Sequence, residues 1–155
     1  MDDARRTVLK GIWAIGALAG AVFAGLLSPV RAFAAWNKNA FEAKSAIDAM
    51  KTLGVANAED SKAIEIRAPE IAENGAVVPI DITSNIPGTT SISVFIEKNP
   101  FPYTGTFDFS QGAVPYVHLR VKIGESSPVR VVATAAGKHY TTAKEVKVTI
   151  GGCGG

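Results

Sequence analysis

One residue in this 155-residue chain has soft nucleophilic chemistry available to it: Cys153, the single cysteine, set in the C-terminal run Gly151-Gly152-Cys153-Gly154-Gly155. A lone cysteine forms no internal disulfide and cannot build a zinc site alone. Glycine adds no side-chain bulk and permits almost any backbone angle. The spacing predicts a thiol carried on a thin stalk; the three residues from Ile150 to Cys153 span at most about 10 Å. That is the geometry of a carrier arm. A catalytic cysteine instead needs a fixed base, cation or helix N-terminus to form its thiolate, and the glycines fix nothing. With the terminal carboxylate two residues away, the free thiol is expected to titrate near or slightly above the ordinary value of about 8.5.

The other candidates for acid–base chemistry are His118 and His139. His118 falls on the outward side of a strand pattern and reads as a solvated position. His139 follows Gly137-Lys138 and reads as a turn neighbour. Either would assist the thiol only if the fold brought it close.

The first 34 residues read as an address. Arg5-Arg6 followed by Val8-Leu9-Lys10 resembles a twin-arginine export motif, with Val8 where phenylalanine is usual. An uncharged, largely apolar run from Gly11 to Leu27 follows, Pro29 breaks it, and Ala32-Phe33-Ala34 is a small-x-small cleavage site. Cleavage after Ala34 is expected, leaving 121 residues in the periplasm. A single membrane anchor is the alternative, but the run is at the short end for a bilayer and rich in Ala and Gly. Four of the 16 basic and two of the 14 acidic residues lie in this segment, so the remaining 121 residues hold twelve of each. A neutral remainder argues against nucleic-acid binding.

Residues 35–150 read as one domain. Phe41 to Leu53 has helical periodicity, with Ala43, Ala46, Ile47, Met50 and Leu53 on one face and Gly54 as the stop. From Ile64 the period becomes two. Val78, Ile80 and Ile82 alternate with mostly polar partners, as do Ile92, Val94 and Ile96; Val117, Leu119, Val121 and Ile123; Val129, Val131 and Ala133; and Val146, Val148 and Ile150. With short strands near Ile64–Arg67 and Gly105–Phe109 this makes about seven, separated by Pro- and Gly-bearing turns. The pattern predicts an all-β, immunoglobulin-like sandwich preceded by a short helix and followed by the 151–155 arm. Pro79 sits inside a strand pattern and is expected where the strand has a free edge or a bulge. Val77, Phe95 and Val132 are apolar at outward positions, and we expect a partner subunit to cover them.

The terminal Gly151-Gly152-Cys153-Gly154-Gly155, preceded by Val146-Lys147-Val148-Thr149-Ile150, closely resembles the end of the SoxY family of sulfur carriers. Asn99-Pro100-Phe101-Pro102 resembles that family's Asn-Pro-x-Pro turn. Tyr116-Val117-His118-Leu119-Arg120-Val121-Lys122 resembles its following strand, with Lys122 where a second arginine is common. The resemblance implies a non-catalytic carrier without a cofactor, holding sulfur intermediates on Cys153 during periplasmic thiosulfate oxidation. It implies a heterodimer with SoxZ, thiosulfate loading by the cytochrome pair SoxAX, sulfate release by the manganese hydrolase SoxB, and in some organisms oxidation of the remaining sulfane sulfur by SoxCD. Two other readings use the same thiol: a sulfurtransferase or oxidoreductase with Cys153 as nucleophile, and a module delivering a soft-bound ligand. For the second, one thiol without other soft ligands is a poor metal site.

Overall fold

The computed structural model describes residues 37–110 and 112–149. The export segment with its cleavage site at Ala34, the strand end at Ile150 and the arm 151–155 lie outside the described residues.

Alternating apolar residues from two sheets meet in one core. The larger sheet has the order β1 (Glu59–Asp60), β9 (Lys138–Val148), β8 (Ser127–Ala135), β5 (Thr89–Ile96), β6 (Tyr103–Asp108), with β3 (Ile71–Ala72) also pairing β9. The smaller has the order β2 (Ile64–Arg67), β4 (Val78–Ser84), β7 (Tyr116–Val121). Val78, Ile80 and Ile82 of the small sheet pack against Ile92, Val94, Val129, Val131 and Val146 of the large one, all buried. This is the sandwich expected from the period-two runs, since each strand hides alternate side chains.

Nine strands are present among the described residues, against about seven expected. The two extra ones, β1 and β3, are two residues long and exist by pairing parallel to β9; no period can show in two residues. The last strand also begins at Lys138, well before Val146. Ala136 and Gly137 both have positive φ, 49° and 74°, the geometry of a tight two-residue hairpin. It sets Ala135 opposite Lys138 and carries the ladder on to Ser127 opposite Val146. The segment from Lys138 to Glu145 is polar, so hairpin geometry, not hydrophobicity, defines it. Its one buried polar side chain, Thr141, donates to the Val131 carbonyl at 2.9 Å.

The single helix expected over 41–53 is two short ones, α1 (Lys38–Glu42) and α2 (Ala46–Thr52). Ser45 breaks them. Its backbone is extended, and its hydroxyl accepts from the Asp48 N–H at 3.1 Å, an N-cap that starts α2 afresh. Gly54, at φ 74°, ends α2 as expected. The buried face of α2 is Ala46, Ala49 and Met50; Ile47, placed on that face by periodicity, is 63% exposed.

These helices correct the expectation about the apolar outward positions. Phe95 and Val132 do point away from the sandwich core, but they are fully buried in a second cluster with Tyr103, Ala40, Ala49 and Met50. Phe41 and Tyr103 stack with centroids 4.5 Å apart, and Phe95 and Tyr103 at 5.5 Å. The chain covers this face itself, and no partner is needed there. Val77 remains 52% exposed. Pro79 lies where expected. β2 pairs β4 only from Asp81 to Ser84, so Pro79 stands beyond the end of β2 with no ladder bond to lose on that side.

Candidate functional site

Cys153 and its flanking glycines Gly151, Gly152, Gly154 and Gly155 lie outside the described residues; their anchorage does not. β9 is clamped on both sides to its end. Lys147 N–H donates to the Glu70 carbonyl at 2.9 Å and Thr149 N–H to Ala72 at 3.2 Å, while Val148 N–H donates to Ser126 Oγ at 2.9 Å. Val146 is completely buried. Beneath Val148 the chain must pass Gly75 closely: a Cβ there would lie 2.8 Å from Val148 Cγ1 and 2.4 Å from the Ile123 carbonyl oxygen. The described chain is therefore fixed to residue 149, and the thiol begins four residues further on, within about 14 Å of extended backbone.

The histidines are not gathered at this root. His139 is at the far end of β9, nine residues from Val148 and so about 30 Å along the strand; its Nδ1 meets Thr134 Oγ1 at 3.1 Å. His118 is on β7, five residues before Ile123, and belongs to another cluster. The β4–β7 register sets Asp81 opposite His118 and Thr83 opposite Tyr116 on the open face of the small sheet. Asp81 Oδ1 accepts from the Tyr116 hydroxyl and lies 2.9 Å from His118 Nδ1. The Tyr116 hydrogen bond, followed by that of His118, holds the Asp81 carboxyl below its usual range, and Asp81 in turn raises the Tyr116 phenol. The ionised carboxylate can only accept, so His118 donates to it from Nδ1. Sequence reasoning placed His118 on a solvated face but missed the cluster. Two side chains 37 positions apart meet only through register.

Among the described residues no group of three or more His, Cys, Asp or Glu could hold a metal ion, and no helix is long and apolar enough to cross a membrane. A cavity of about 680 Å³ opens between the 84–90 turn and the 109–115 connection, lined by Ile86, Pro87, Phe109 and Pro115 without a charged side chain. It lies at the opposite end of β4 from Gly75 and the tail root.

The fold and site together define a small β-sandwich that anchors its final strand firmly to within four residues of its one thiol. Residues 49–153 match the family model described as sulfur oxidation protein SoxY, and the chain belongs to that family. Among solved structures it is similar to the sulfur carrier protein SoxY from Chlorobium limicola f thiosulfatophilum, at 40% identity and a TM-score of 0.60, covering 67% of this chain and 96% of that one. It also aligns with a superoxide reductase (neelaredoxin) from Ignicoccus hospitalis, at 19% identity and a TM-score of 0.49, covering 56% of this chain and 79% of that one. No curated protein matches the sequence. Family membership gives the chain a sulfur-carrier role in sulfur oxidation by the Sox system.

Proposed function

We propose that the chain carries sulfur intermediates covalently on Cys153 during periplasmic thiosulfate oxidation and performs no catalysis itself. The observation that carries this reading is the extent of the family match, which runs through the sandwich and ends on residue 153. The clamped end of β9 supports it, because a fixed root makes the reach of the thiol reproducible from one partner to the next. In this reading residues 1–34 export the protein by the twin-arginine route and are removed. SoxZ is the stable partner, SoxAX loads thiosulfate oxidatively onto the thiol, SoxB hydrolyses the terminal sulfonate to sulfate, and SoxCD, where present, oxidises the sulfane sulfur that remains.

Reconstitution tests it. The protein with SoxZ, SoxAX and SoxB is expected to release sulfate from thiosulfate, and Cys153→Ser to abolish release. Sulfur transfer from thiosulfate to an acceptor by this chain alone would identify it as a sulfurtransferase and end the carrier reading.

A further inference from the structure

The two sheets are of unequal width, and the narrow one is unfinished at β7. β7 pairs only with β4. Pro79, opposite Arg120, has no N–H to give β7, and alternate residues of β4 divide between its two neighbours accordingly. Ser84 N–H reaches toward the β7 side, to Pro115, and Asn85 N–H toward the β2 side, to Ala63. On β7 the same alternation turns the backbone groups of His118 and Arg120 to the free edge. The ends of that edge are closed off. Tyr116 N–H is taken by the Val114 carbonyl at 2.8 Å, and the Lys122 carbonyl by Asn99 Nδ2 at 2.8 Å. An open window remains with the N–H and C=O of His118 and Arg120 unpartnered among the described residues.

β7 ends the small sheet as β6 ends the large one. Residues opposed across a ladder share a face. Phe107, opposite Ile92, therefore points inward toward the core side, as Gly105 does opposite Val94. Ile92 and Val94 are fully buried, yet Phe107 remains 36% exposed. Leu119 is likewise only half-buried, although its cross-strand partner Ile80 is completely covered. Both side chains stand on edge strands, where each sheet lacks its next strand. On the outward side of the same edge, Arg120 and Lys122 make no ion pair among the described residues.

We propose that the free edge of β7 is a docking site for an extended segment of another protein, added as a fourth strand to the small sheet. Its inward residues are apolar and lie under Phe107 beside Leu119; its outward residues are acidic and stand opposite Arg120 and Lys122. The apolar side follows from the incomplete burial of Phe107 and Leu119. The acidic side follows from cross-strand charge pairing, and main-chain bonding to His118 and Arg120 supplies the register. This site is independent of Cys153.

The probes are two capped, dye-labelled peptides, one alternating valine with glutamate and one valine with lysine, titrated into the full chain by fluorescence anisotropy. The valine–glutamate peptide is expected to bind several-fold more tightly and to slow amide exchange at His118 and Arg120. Arg120→Pro removes a free-edge donor without touching the β4 ladder and is expected to abolish binding. The double variant Arg120→Glu, Lys122→Glu keeps the edge and is expected to reverse the preference, so the proposal stays testable should the proline variant fold poorly. Cys153→Ser is expected to bind as the unaltered chain does, which separates failure here from failure of the carrier reading. Absence of binding, equal binding of both peptides, or an unreversed preference would overturn the proposal. Self-association of the chain that Arg120→Pro abolishes would also overturn it, by assigning the edge to a second copy.

Discussion

Val148 lies directly over the α-carbon of Gly75, so closely that a methyl group on Gly75 would come within 2.8 Å of Val148 Cγ1 and 2.4 Å of the Ile123 carbonyl oxygen. The contact joins the end of β9 to the approach to β4, and it fixes the point from which the tail leaves. Gly75→Ala is expected to cost about 1–3 kcal/mol through overpacking. In a domain of this size that lowers the melting temperature by several degrees. Adding Val148→Ala is expected not to restore it, because the backbone oxygen of Ile123 cannot swing aside. An unchanged melting temperature in Gly75→Ala would show that the contact relaxes freely.

The helical cover over Phe95 and Val132 is expected to depend on the aromatic trio Phe41, Phe95 and Tyr103. Phe95→Ala removes the largest fully buried side chain among the described residues. Such truncations cost about 3–5 kcal/mol. Limited proteolysis is expected to cut first at residues 43–45, between α1 and α2, in this variant and not in the unaltered chain. Melting and cleavage patterns identical to the unaltered chain would mean that the helices contribute little to the fold.

What the sequence made legible was whatever one segment decides by itself. The alternation in β4, β5, β7 and β8 required only period two, and the stop at Gly54 only a positive φ. Three features depended on partners distant in sequence or on a competing local bond. The break at Ser45 was hidden because its capping bond competes with a helical pattern that looks continuous from Phe41 to Leu53. The burial of Phe95 was misread because an outward position on a sheet says nothing about a helix that covers it. The Asp81–His118–Tyr116 cluster needed the β4–β7 register, which no single strand contains. The tail is the reverse case: the expectation for Cys153 rests on its place among glycines alone, and those residues lie outside the described ones.

The Asp81 cluster is expected to give a defined pH signature. Asp81 titrates below its unfolded value, so its contribution to stability is present above the usual carboxylate range and is lost as pH falls through the depressed folded value. Tyr116 titrates above its ordinary value of 10.0, so its share is full below pH 10 and lost only at higher pH. Melting of the unaltered chain minus that of Asp81→Asn is therefore expected to be smaller in acid, below about pH 4, than at about pH 8. A difference that grows on acidification would contradict the assigned direction.

Glycines beside the thiol are expected to matter for turnover and not for folding. A β-branched residue adds bulk and restricts the backbone where the arm must enter a narrow pocket. Gly152→Val and Gly154→Val are expected to melt like the unaltered protein while thiosulfate loading and sulfate release fall sharply. Normal turnover would show that the enzyme pockets do not require glycine. A large drop in melting temperature would show that the tail packs on the domain.

Carriage of sulfur on Cys153 is read out by intact-mass analysis of the protein after exposure to thiosulfate and SoxAX. Adducts of thiosulfate-derived sulfur are expected on the C-terminal peptide alone, removed by thiol reductant and absent from Cys153→Ser. Adducts that persist in Cys153→Ser, or an unaltered mass in a loading reaction that consumes thiosulfate, would contradict it.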